Sequence, residues 1–193
     1  MNKRFILIFI IIITYYNLSA NDKVIDKFSS DLEAYITAYN NEDWKQVTDF
    51  LHTGLFTLVP KESVIAGMSQ KDDSGVTTKM CKINVSKISK PFNYKDELFY
   101  ILDYNLYIDF KLDSTLNSQK EMMNSMIISQ YGKDNVEVNK DLNQYLVKTE
   151  KQMIAISKDN GINFQYLENA KGNDELLKAL FDAELIKLIR KNE

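Results

Sequence analysis

The chain has 193 residues, 45% of them hydrophobic and 26% charged, with only 6 Gly and 2 Pro, an ordinary globular composition. That fits one folded unit at roughly 100–200 residues per domain, and excludes a second full domain, a long linker and extensive disorder. A formal net charge of −3, more negative still if Lys3 and Arg4 are lost, argues against a general affinity for nucleic acid.

At the start, Met1-Asn2-Lys3-Arg4 is a short positive region and Phe5 to Ile13 an unbroken apolar run. Leu18-Ser19-Ala20 then supplies small residues before a cut ahead of Asn21. This is the pattern of a secretory signal peptide. It predicts residues 1–20 as that peptide, residues 21–193 as a single domain, and a secreted or periplasmic product. The apolar run is shorter than the about 20 residues that span a bilayer, so an uncleaved anchor is the alternative and no stable membrane insertion follows cleavage. Cys81 is the only cysteine, which excludes an intrachain disulfide and reads as a small buried hydrophobe. The Lys-, Asn-, Ile- and Tyr-rich, Arg-poor composition is that of an AT-rich bacterial genome.

From Asp22 to about Asn40, Val24, Ile25, Phe28, Leu32, Tyr35, Ile36 and Tyr39 fall on one helical face. Asn40-Asn41 breaks that helix. Glu42-Asp43 opens a second, short one in which Trp44, Val47, Phe50 and Leu51 share a face. Leu55 to Val59 reads as extended, Lys61 to Ser69 as a third helix entered from Pro60, and Lys71 to Thr78 as a loop. The period then becomes two: Cys81, Ile83 and Val85 alternate with polar residues in a strand that ends before Pro91. Every even position from Leu98 to Leu112 is apolar or aromatic. The odd positions begin with Phe99 and Ile101 and continue with Asp103, Asn105, Tyr107 and Asp109, so this strand's second face is apolar at its start and wet afterwards. A strand about twice the usual five to six residues curves or wraps something.

Asp113 or Ser114 caps a helix from about Leu116 to Tyr131, with Met122, Met123, Met126 and Ile127 on one side and Gly132 closing it. Val136 to Val138 is a short strand and Tyr145 to Ser157 a longer one. Asn160-Gly161 is a two-residue hairpin signal, with Ile162 to Leu167 returning antiparallel. A final amphipathic helix is predicted from about Asn173 to Lys191.

The run Ala38-Tyr39-Asn40-Asn41-Glu42-Asp43-Trp44-Lys45-Gln46-Val47, then Phe50-Leu51-His52 and Gly54-Leu55-Phe56, resembles the opening of the nuclear transport factor 2-like superfamily. Gly161-Ile162-Asn163-Phe164-Gln165-Tyr166-Leu167-Glu168 is similar to its last strand. The resemblance implies an α+β fold with N-terminal helices packed on a curved antiparallel sheet, here with an additional helix between strand pairs and a C-terminal helix. It also implies a concave pocket, in a superfamily that holds enzymes, carriers and dimerisation modules.

His52 is the only histidine, so a multi-histidine metal site is excluded within one chain, and no phosphate loop, dinucleotide fingerprint or Cys-pair zinc pattern occurs. No cofactor, metal or catalytic set is predicted. Asp103 and Asp109 would serve as a general base if desolvated in a cone, but their alternation opposite the apolar face makes them solvent-facing carboxylates. His52, just past the second helix, reads as a charged ring on a helix C-terminus or as a catalytic partner. Tyr100, Tyr104 and Phe110 line a pocket or form plain core, and Trp44 is a core anchor. The ligand-binding candidates are therefore Trp44, His52, Tyr100, Tyr104 and Phe110. Three functions follow: an exported non-enzymatic module that binds a small apolar ligand or a protein partner; a cofactor-free isomerase, dehydratase or hydrolase using one buried carboxylate; or a dimerisation or scaffold domain. Phe99 and Ile101 motivate the last, and with it a homodimer.

Overall fold

A computed structural model describes residues 23–70, 74–139, 141, 143–169 and 174–193. The leader expected over residues 1–20, part of the loop after the third helix, and Asn173 lie outside them. The fold is α+β. Helix α1 (residues 23–40) turns Phe28 and Leu32 of its predicted stripe inward together with Ala38, whereas Ile25, expected on the same face, is 38% exposed. It ends where Glu42 takes a positive φ of 57° and Asp43 N–H returns to Ala38 O at 2.9 Å. The Asp43 carboxylate then accepts Gln46 N–H at 3.0 Å and starts α2 (Trp44–Asp49). Leu55–Leu58 forms one helical turn, α3, rather than the extended segment its apolar run predicts. Gly54 O there takes both the N–H and the hydroxyl of Thr57, a local bond that hydrophobic periodicity does not record. Helix α4 (Lys61–Met68) follows Pro60.

Six strands form one antiparallel sheet: β1 (Val76–Ile88), β2 (Phe92–Tyr94), β3 (Glu97–Leu112), β4 (Val136–Asn139), β5 (Gln144–Ser157) and β6 (Gln165–Glu168). The order is β1-β3-β5-β4, with β2 extending the β1 side of β3 and β6 paired to the far end of β5. Two register shifts in β1, at Met80/Lys82 and Val85/Lys87, are bulges that bend the strand around its neighbour. The first leaves Cys81 unpaired, and its thiol is exposed rather than buried.

Strand β3 is the spine, and its alternation holds throughout. On the even face Tyr100, Leu102, Tyr104 and Leu106 pack with Phe28 and Leu32 of α1 and with Met153, Phe164 and Tyr166. Further along the same face, Phe110 and Leu112 meet Ile127 and Met123 of α5 (Lys120–Tyr131), together with Tyr145 and Val147. Met122 and Met126, expected on the inner side of that helix, are 54% and 57% exposed. On the odd face, Phe99 and Ile101 are covered by Leu177, Leu185 and Ile189. The apolar pair that suggested self-association is thus buried under the chain's own C-terminal helices.

Those helices are two, not one: α6 (Glu175–Leu180) and α7 (Ala183–Asn192), separated by an extended Phe181. Asp182 accepts Leu185 N–H at 3.1 Å as the N-cap of α7, and also the Tyr94 hydroxyl and the Lys95 ammonium. The turn after β5 is longer than the predicted two-residue hairpin. Asn160 and Gly161 do take positive φ, 56° and 89°, but β6 begins only at Gln165. In between, the Asp159 carboxylate collects the N–H groups of Ile162 and Asn163 and the Asn163 amide. These bonds hold its pKa down at about 2. No described helix is long and apolar enough to cross a membrane.

Candidate ligand cavity

The chain leaving α2 runs beside β6: Tyr166 N–H donates to Phe50 O at 2.7 Å and His52 N–H to Tyr166 O at 3.0 Å, around a parallel bridge from Leu51 to Tyr166. This clasp sets α1 and α2 above the sheet and leaves between them a cavity of about 130 Å³. Its walls are Leu32 and Tyr35 from α1, Phe50 and Leu51 after α2, Met80 and Ile83 from β1, Tyr104 and Leu106 from β3, and Met153 and Tyr166 from β5 and β6. Lys151 and Glu168, paired at 2.7 Å, close one side.

Three phenols give this apolar space its polar character. Tyr166 donates to Asp31 Oδ2 at 2.7 Å, and burial together with that acceptor pushes its pKa far up. Tyr104, 6% exposed, is raised by burial and then by the nearby Glu168 and Tyr35. Tyr35 is raised by burial, Tyr39 and Glu168. All three stay neutral near pH 7 and can donate. Among the described residues none hydrogen-bonds the Tyr35 or Tyr104 hydroxyl, so both are available to whatever occupies the cavity.

Comparison with known protein families, with curated proteins and with solved structures finds no match.

Of the five residues singled out by sequence, Tyr104 alone lines this cavity. Tyr100 lies deeper, edge-on to Phe28 at 5.3 Å and Phe164 at 5.9 Å. Phe110 packs near Tyr131 beneath α5, and Trp44 meets Tyr39 edge-on at 5.4 Å outside the cavity. Tyr35 and Tyr166 are the residues the sequence reading missed as site residues. Their signal was a polar-tipped aromatic at an otherwise apolar position, on the α1 stripe and in the last strand. Asp103 and Asp109 lie on the other face, as alternation predicts, accepting from Gln152 Nε2 and Gln144 Nε2, each at 2.6 Å. Among the described residues no group of three His, Cys, Asp or Glu could hold a metal ion.

His52 lies at a separate hollow of about 470 Å³ walled also by Tyr94, Lys95, Glu97 and Lys158. It is buried, and its Nδ1 has no partner. The ring fits only because residue 54 is glycine: a Cβ there would stand 2.8 Å from Nδ1 and Cε1. Burial lowers its pKa, with Glu97 opposing and Lys158 adding to the shift, so the ring is neutral rather than the charged helix-end group that its position suggested. The unfolded chain, titrating near 6.5, therefore binds a proton that the fold rejects. The stability this group contributes is complete above about pH 6.5 and is lost as pH falls through that value toward the folded pKa. In urea melts at pH 7.5 and 5.5, His52→Gln should show a smaller drop in midpoint than the parent chain. An equal drop in both would contradict the assignment.

Proposed function

We propose that this chain is an exported, non-enzymatic binding module, nuclear transport factor 2-like in architecture, that holds a small apolar ligand in the cavity beneath α1 and α2. The observation that carries the reading is the pair of phenol hydroxyls, Tyr35 and Tyr104, set in apolar walls without a partner among the described residues. Neither hydroxyl is sealed from solvent, so a ligand with one polar end would replace water there for a net hydrogen bond worth about 0.5–1.5 kcal/mol. Size limits that ligand. The volume is close to that of an engineered cavity of about 150 Å³ that binds benzene and is below the roughly 300–1,000 Å³ of drug-sized sites, so the buried part is one six-membered ring or a short acyl chain.

Export is supported by the positive start, the apolar run and the small residues Ser19 and Ala20 before the cut. The absence of catalysis is supported by where the acids lie. Asp103 and Asp109 face away from the cavity, and Glu168, paired with Lys151, keeps an exposed side chain, so none of the three is a buried base inside it. The test is an amide NMR titration with toluene and with p-cresol. Both should shift Leu32, Leu51, Leu106 and Met153, with p-cresol the tighter by about threefold to tenfold, the worth of one net hydrogen bond. Tyr104→Phe should erase much of that difference while leaving toluene unchanged. Shifts elsewhere on the protein, or an unaltered p-cresol preference in the variant, would refute the reading.

A further inference from the structure

The sheet ends at β1, a 13-residue edge strand whose inner side pairs with β3. An edge strand turns a row of backbone N–H and C=O groups outward. At Met80 that row is already met by a side chain. Asn40 Nδ2 donates to Met80 O at 2.7 Å and Met80 N–H donates to Asn40 Oδ1 at 3.0 Å, the two bonds a neighbouring strand would make. Beyond this clamp a groove of about 590 Å³ runs between α1 and β1; Ile36, Ile83 and Val85 are its apolar part, Lys82 lies on its strand side, and Thr37 and one acid, Glu33, lie on its helical side.

The strand's charge is one-sided. From Val76 to Lys90 the sequence carries Lys79, Lys82, Lys87 and Lys90 and no Asp or Glu, in a chain whose net charge is −3. Pairing with β3 places Lys79, Lys82 and Lys87 on one face, opposite Asp109, Tyr107 and Asp103. Ile83 and Val85 lie on the other, opposite Leu106 and Tyr104. Lys87 is partly engaged, 3.8 Å from Asp103 and bonded to the Glu193 carbonyl oxygen. A second copy pairing edge to edge would bring lysine rows together, which is unfavourable. The same row favours a strand of opposite charge.

We propose that the outer edge of β1 from Lys82 to Lys87 docks an extended acidic segment of a partner protein, which adds as a further strand of the sheet. Successive side chains of an added strand alternate between faces. Its apolar residues enter the groove against Ile36, Ile83 and Val85, and its carboxylates meet Lys82 and the partly engaged Lys87. The recognised sequence is therefore one in which acidic and small apolar residues alternate.

The test uses the whole purified chain with two fluorescein-labelled octapeptides, one alternating Glu and Val, the other Lys and Val. The acidic peptide should raise anisotropy, lose affinity with added salt, and shift amides from Lys82 to Lys87 together with Thr37. The basic peptide should not bind. Lys82→Glu, at an exposed position, should weaken acidic binding by about tenfold. Thr37→Trp, which fills the groove, should abolish it. Neither variant should alter p-cresol binding, so this edge can fail while the cavity stands, and the reverse. Equal binding of both peptides, no binding, shifts confined to another strand, or a dimer in sedimentation that forms through β1 would each overturn the proposal.

Discussion

Phe28→Ala is expected to lower the free energy of unfolding by about 3–5 kcal/mol, the range for removing a fully buried phenylalanine. The ring is completely buried and sits at the centre of an aromatic cluster, 4.8 Å from Phe164, 5.3 Å from Tyr100 and 6.4 Å from Tyr166, all edge-on. Such pairs add about 0.5–1.5 kcal/mol each beyond the area they bury. Because the cluster joins α1 to β3 and β6, losing the ring weakens the attachment of the helix that roofs the cavity. A chain this size shifts its Tm by about 2–4 °C per kcal/mol, so the drop should reach roughly 10 °C. Ile25→Ala, on the same helix but 38% exposed, should stay within about 0.5 kcal/mol. Thermal and urea melts of the two variants separate the inward stripe from the outward one, and similar losses in both would mean that α1 is not docked as described.

The even-numbered run from Leu98 to Leu112 was legible because a strand covered on one face along its whole length must repeat every two residues, whatever covers it. The covering elements were harder to see. Phe99 and Ile101 read as a free apolar edge since nothing local tells an intermolecular partner from helices α6 and α7, which arrive from the end of the chain. The break between those helices was hidden for a related reason. Asp182 falls within a continuous amphipathic pattern, and its preference for capping is decided by Tyr94 and Lys95, far away in sequence.

At the cavity the same limit applies to single residues. Tyr100 and Tyr104 occupy equivalent positions of one pattern, yet one is packed against Phe28 and Phe164 and the other opens on empty space. The difference lies in what stands opposite: Phe164 fills the volume over Tyr100, whereas over Tyr104 the clasp of Phe50 and Leu51 on Tyr166 holds the helices away. His52 was misjudged because proximity to a helix end is local, while its burial against Phe181, 5.6 Å away, and its dependence on Gly54 are tertiary.

The second large effect should come from Asn169→Leu. Asn169 is 2% exposed and lies where β6 gives way to the C-terminal helices. Its Nδ2 donates to Gln152 Oε1 and, at 2.7 Å, to Glu193 Oε1; its Oδ1 accepts from Arg190 Nη1 at 3.2 Å. Arg190 also reaches Asp174 and Glu193, and Gln152, itself 4% exposed, passes the chain on to Asp103. One amide thus links β5 to α7. Leucine would leave the Gln152 side-chain carbonyl without its partner in a buried place, at about 1–3 kcal/mol, and would take one bond from the half-buried Arg190 guanidinium, which keeps Asp174 and Glu193. A loss of about 2–4 kcal/mol in urea unfolding is expected. Protection of the α7 amides from hydrogen exchange should fall further than that of β3, because the latch holds α7 over Phe99 and Ile101. Since an apolar replacement on both sides removes the orphan as well as the bond, Gln152→Leu with Asn169→Leu should cost less than the two single changes summed, by about 1 kcal/mol or more. Strict additivity would show that the two amides act independently and that no latch joins them.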